Sequence, residues 1–183
     1  MKPETASIIG PHGGYRNLRS FQRAQQVYDL TVRFCDRFVD RRSRTHDQMV
    51  QAARSGVQNI AEGSMASATS KKTELTLTSV ARSSLVELLL DYEDFLRHRG
   101  LRQWAKDSPE ALAVRSRALG DASAEAMTIM SDAERAANTI ICRIHQATYL
   151  LGGQLRHLER RFVEQGGFSE RMSRARREWE RRK

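Results

Sequence analysis

A chain of 183 residues, 39% hydrophobic and 29% charged, can bury one core and still keep a well-solvated surface. Its net charge of +9 points to an anionic partner, nucleic acid first. No apolar run approaches the ~20 residues that span a bilayer, and "MKPETASIIG" at the N-terminus lacks the apolar centre of a signal peptide, so a cytoplasmic protein with no membrane partner is expected.

Residues 1–15 hold two prolines, a glycine pair and no periodicity, which predicts a flexible arm. From Leu18 the series Phe21, Ala24, Tyr28, Thr31, Cys35, Phe38 steps by three and four and predicts a first helix over about 17–41. Ser43 or Thr45 can cap a second, with Asp47 in its first turn. Its stripe, Met49, Ala53, Gly56, Val57, Ile60 and Ala61, carries it over 45–63, with Gly63 read as its C-terminal glycine. The third helix, 70–99, has the cleanest stripe: Thr78, Ala81, Leu85, Leu88, Tyr92, Phe95. Thr69 or Ser70 can start it and Gly100 end it.

Residues 101–131 are harder to read. Ser108-Pro109-Glu110 is a good helix start, a short helix can cover 112–119 and end at Gly120, and "DASAEA" reads as a loop or weak helix. The fourth long helix spans 132–165 on Ala133, Ala137, Ile140, Ile144, Ala147, Leu151, Leu155, Leu158 and Phe162. Gly152 and Gly153 interrupt it, predicting either a bend or a closely packed neighbour. A short basic helix over 166–183 begins at Ser169. No segment alternates with period two, so the fold class is all-α: an antiparallel up-and-down four-helix bundle with a basic C-terminal helix.

The charge is uneven. Residues 16–44 carry eight arginines against Asp29, Asp36 and Asp40; residues 154–183 carry ten basic side chains against five acids; the middle is near neutral. On the first helix Arg16, Arg19 and Arg23 step along one face, continued by Arg33, Arg37, Arg41, Arg42 and Arg44. At the other end stand Arg156, Arg160 and Arg161, then Arg171, Arg174, Arg176 and Arg177. Arginine heavily outnumbers lysine, and its planar fork is the better phosphate ligand. With few aromatics expected at the surface, backbone contact to RNA or DNA is favoured over sequence readout. Glu87, Asp91 and Asp94 form an acidic ridge beside the third stripe, read as a flank that pairs with basic groups of another helix or subunit.

Motifs for catalysis are missing. No Glu-x-x-His pair, Walker loop, dinucleotide fingerprint, zincin motif or nucleophile elbow occurs. Cys35 and Cys142 sit in helical periodicity without histidines at ligand spacing, and so read as buried free thiols. No metal, cofactor or enzymatic activity is expected.

Three stretches carry a resemblance: "FQRAQQVYDLTVRF" (21–34), "AARSGVQNIAEG" (52–63) and "SKKTELTLTSVARSSLVELLLDYE" (70–93). In order and spacing they resemble the four-helix bundle protein family, which includes proteins encoded in intervening sequences of bacterial 23S rRNA genes and the accessory variability determinant of diversity-generating retroelements. The likeness covers 15–100, and 137–162 resembles the suffix extension of some members. Val57 stands where many members have proline. The resemblance implies a bundle that assembles into a ring, typically a homopentamer, without catalysis; its retroelement members bind nucleic acid and a reverse transcriptase. It also implies structural roles for Gly56, Asn59, Glu62, Gly63, Ser84 and Glu87. Gly56 would admit a close neighbour, Asn59 bond across to another helix, and Glu62 pair with Lys71 or Lys72. The expected function is a homo-oligomeric nucleic-acid-binding accessory protein; the alternative is a protein–protein adaptor whose charges, with Glu87, Asp91 and Asp94 at the subunit interface, serve pairing only.

Overall fold

The computed structural model describes residues 12–118, 120 and 122–181. Among them every regular element is helical: a 3-10 turn at Tyr15–Asn17, then α1 (Arg19–Phe38), α2 (Arg44–Ala66), α3 (Lys71–His98), α4 (Pro109–Ser116), α5 (Ala122–Ile129), α6 (Ala133–Gln165) and α7 (Phe168–Glu180). None is long and apolar enough to cross a membrane.

The starts follow from side-chain capping of orphan amides. Ser43 accepts from the Thr45 amide at 3.2 Å, Ser70 from Thr73 at 3.1 Å, Ser108 from Ala111 at 3.2 Å and Asp132 from Arg135 at 3.0 Å. Gly100 and Gly166, at φ +62° and +70°, turn the chain out of α3 and α6 in a conformation glycine adopts without strain.

The four long helices pack in a cycle: α1 on α2, α2 on α3, α3 on α6, and α6 back on α1. Each turns its apolar stripe into one shared core. Leu30 and Phe34 come from α1, Met49 and Ile60 from α2, Leu85, Leu88 and Tyr92 from α3, and Ile140, Ile144 and Leu151 from α6, all at 0% exposure. The Phe34 ring meets Tyr92 and Phe95 edge-on at 4.9 and 4.8 Å. The buried Tyr92 hydroxyl donates to Thr31 Oγ1 at 3.1 Å, so its polar end is satisfied. A satellite cluster of Ala111, Val114, Cys142 and Trp104 seats α4 on α6. Both cysteines are free and buried, and burial raises the Cys35 thiol to about 12, leaving it protonated.

Several boundaries differ from expectation. α1 ends at Phe38, three residues early, because Val39 is extended and Arg99 takes over the chain end, donating to the Phe38 carbonyl at 3.1 Å. Gly63 does not terminate α2, which continues to Ala66. It is buried inside the helix, where a Cβ would lie 3.3 Å from the Glu74 carbonyl oxygen and from Leu77 Cβ. Gly56 does serve a close approach: a Cβ there would stand 2.7 Å from Leu85 Cδ2. Gly152 and Gly153 do not admit a neighbour. α6 runs through them, and the nearest side-chain atoms belong to Arg156 of the same helix, 3.6 and 3.9 Å away.

Between α3 and α6, α4 starts at Pro109 as expected but stops at Ser116, and "ASAEA" forms α5, which buries Ala126 and Ile129. Residues 1–11 of the expected arm lie outside the described residues. Its end is anchored, since the Gly13 amide donates to the Ser64 carbonyl at 3.3 Å.

Candidate nucleic-acid interface

Thirteen of the fifteen arginines singled out from the sequence are exposed; Arg23 and Arg171 are not. Arg16 and Arg19 stand in solvent at the start of α1. Arg33 and Arg37 are exposed but engaged, donating to Ser123 Oγ at 2.8 Å and to the Met130 carbonyl at 2.9 Å, so they also fasten the α5 region to α1. Arg41 pairs with Asp36 at 3.1 Å, and Arg42 and Arg44 flank the turn into α2. At the far end Arg156, Arg160 and Arg161 project from α6. Arg174, Arg176 and Arg177 project from α7, with Arg176 paired to Glu180 at 3.2 Å. Arg171 lies half-buried, its guanidinium 5.9 Å from the Phe168 ring centroid. Such exposed pairs are weak and leave the charge available to phosphate.

Arg23 corrects the reading of an unbroken basic face. It is 8% exposed and donates to Gln26 Oε1, because the first-helix face that carries it turns toward α6. Burial, and after it the neighbouring Arg143, pulls its pKa down, while Glu125 works in the opposite sense. Gln26 in turn donates to Glu125 Oε2 at 2.8 Å. Glu125 receives Arg143 Nη2 at 2.5 Å, with side chains only 8% and 2% exposed. Arg143 Nη1 completes the set by donating to the Val114 carbonyl at 3.1 Å and Gln146 Oε1 at 3.0 Å. Sequence reading misses this network. Its one signal is Arg143 itself, a lone arginine inside the apolar series Ile140, Ile144, Ala147.

The residues of the resembling motif have structural partners, though not all those expected. Ser84 and Ser55 join α3 to α2 through their hydroxyls at 3.0 Å. Asn59 does not bond across; it donates to the Ser55 carbonyl and Oγ at 2.9 and 3.0 Å within α2, and supports the crossing indirectly. Glu62 is exposed and pairs with neither lysine, since Lys71 is taken by the nearer Glu74 at 2.9 Å and Lys72 points to solvent.

Glu87, Asp91 and Asp94 do form a ridge. Glu87 and Asp91 line a groove of about 660 Å³ between α2 and α3, together with Asp47 and Arg44. Partial burial, then repulsion from Asp94 and Glu87, raises the Asp91 pKa. Asp94 escapes this by accepting from Arg97 at 2.5 Å, which lowers its own. The surface thus carries an acidic groove that adjoins one basic end at Arg44.

No family model matches the chain, and neither a curated protein nor a solved structure matches it.

The buried pair and the acidic ridge each make a prediction. Arg143→Met should cost about 3–5 kcal/mol in urea unfolding by leaving Glu125 buried without its partner, and Arg143→Met with Glu125→Leu should recover most of it. Equal destabilisation in single and double variants would contradict that account. For Asp91 the raised pKa means the fold favours the protonated acid. That contribution is complete below the unfolded value of 3.8 and disappears as pH rises through the folded pKa. Asp91→Asn should therefore unfold at a higher temperature than the parent at pH 7, the gap closing near about pH 3; a gap that persists in acid would point to packing instead.

Proposed function

We propose that this chain is a non-enzymatic accessory protein that holds RNA or DNA on its arginine-rich ends. The four long helices are read as an up-and-down bundle, and identical subunits as a closed ring, a pentamer by the family resemblance. It works in the cytoplasm beside a nucleic-acid enzyme, a reverse transcriptase on the same resemblance.

The observation that carries the reading is α7 and the end of α6. α7 is a 13-residue helix with no buried residue, and everything after Leu158 in α6 is exposed. A helix of that length gains little from its own hydrogen bonds in water and usually depends on packing. Here little packing supports it, while basic side chains outnumber acids two to one over residues 154–183. Neutralisation by a polyanion supplies the missing stabilisation, with release of counterions from the nucleic acid.

A specific feature supports contact between copies. Val86 and Leu90, one turn apart on α3, are 39% and 55% exposed beside Glu87 and Asp94. An apolar strip edged with carboxylates suits a basic, partly apolar surface of a second subunit. Under the adaptor alternative that is the whole purpose of the charges.

The salt dependence of binding separates the two. Replacing Arg156, Arg160 and Arg161 with glutamine should reduce the slope of log K against log salt by about 0.7–0.9 for each phosphate no longer neutralised, without changing helicity. An unchanged affinity and slope would remove this face from the proposal.

A further inference from the structure

Tyr149, on α6, is 76% exposed. An exposed aromatic is ordinary by itself, but the surroundings of this one are not. It lines two cavities. One, of about 590 Å³, has Arg19 and Arg23 of α1 in its wall. The other, of about 650 Å³, has Arg82 of α3, Lys106, Arg115, His145 and the Trp104 ring. Among the described residues neither cavity is lined by a carboxylate. By contrast, the α2–α3 groove has Asp47, Glu87 and Asp91, and a further cavity between α4 and α6 has Glu110, Asp132 and Glu134.

The first cavity is also built, not merely decorated. Arg23 is held in place by Gln26, which the Glu125–Arg143 pair fixes in turn. Glu125 is paired with Arg143, and Arg23 reaches that carboxylate only through Gln26, so the Arg23 guanidinium adds positive charge to the wall. Gln146 lines both cavities and is anchored to Arg143 and to the Arg115 carbonyl at 3.1 Å. Two cavities with basic side chains in their linings meet at an exposed ring, an arrangement that suits a phosphodiester chain whose base leaves the stack between two phosphates. Aromatic side chains stack any base, while basic side chains track the backbone.

We infer that this cleft binds single-stranded nucleic acid, one unpaired base stacking on Tyr149, with phosphates held by Arg19, backed by the charge of Arg23 in the cavity wall, and by Lys106 and Arg115. The inference rests on the nucleic-acid reading above and adds a base contact that backbone-only binding lacks. Paired bases present no free face, so a duplex cannot use the ring.

Trp104 reports on the site directly, because the chain's other tryptophan is Trp179 and a Trp179→Phe chain leaves it alone. Oligothymidylate and oligouridylate of about a dozen nucleotides should quench that fluorescence and bind more tightly than a duplex of equal length. In that background Tyr149→Ala should weaken single-strand binding about 5- to 150-fold, the range for one stacked base, and Tyr149→Phe should preserve it. Circular dichroism controls for folding. Duplex bound as tightly as single strand, an alanine variant that binds undiminished, or a mononucleotide that binds as well as the oligomer would each overturn the inference while leaving a phosphate-contacting surface in place. No binding of either strand form by the parent chain would overturn both readings.

Discussion

Arg143 places a guanidinium, 1% exposed, on the buried side of α6, and a charge so placed must be met on every side. Stripping an ion of water costs several kcal/mol even after relaxation, and this is offset only when partner and geometry are complete. Glu125 supplies the opposite charge from α5, the Val114 carbonyl accepts at the end of α4, and Gln146 and Gln26 satisfy what remains. The pair thereby dictates where two short helices lie. α5 carries its carboxylate inward. α4 ends where the Val114 carbonyl accepts both the Arg117 amide that caps the helix, at 3.2 Å, and the Arg143 guanidinium, at 3.1 Å. The 101–131 segment is thus tied down by polar satisfaction as much as by Ala111, Val114, Ala126 and Ile129. The same network fixes Arg23 in the cavity wall, so a requirement of folding also shapes a basic pocket.

What can be read from the sequence follows from what determines each feature. The long helices are legible because stripes such as Ala81, Leu85, Leu88, Tyr92 repeat often enough to fix a face, and because Ser43, Ser70 and Asp132 cap by local chemistry. α5 is not, since its eight residues carry little pattern and owe their position to Arg143, eighteen residues from Glu125. Gly63 misleads because glycine after a helix and glycine at a helix crossing look alike in one dimension; the contact with Glu74 and Leu77 decides. Arg23 misleads for a related reason. It shares a helical face with Arg16 and Arg19, but α6 covers only one of the three. Tyr149 gives no signal, because its exposure depends on how α1 and α3 sit against α6.

The electrostatic layout connects the fold to the proposed function. The cyclic packing of α1, α2, α3 and α6 consumes the apolar stripes and leaves two surfaces of opposite character: the groove at Asp47, Glu87 and Asp91, and the arginine-rich ends with the Tyr149 cleft. Because Asp91 already titrates against its neighbours, the acidic groove gains most from a cation brought by another chain. The basic ends gain most from a polyanion. On the proposed function, a nucleic-acid-loaded assembly of identical subunits would satisfy both.

Native mass spectrometry of the chain purified at low salt without nuclease tests this most directly. The account predicts a closed oligomer that carries heterogeneous additional mass, removed by nuclease treatment. A species free of nucleic acid under those conditions, whether oligomer or monomer, would contradict it.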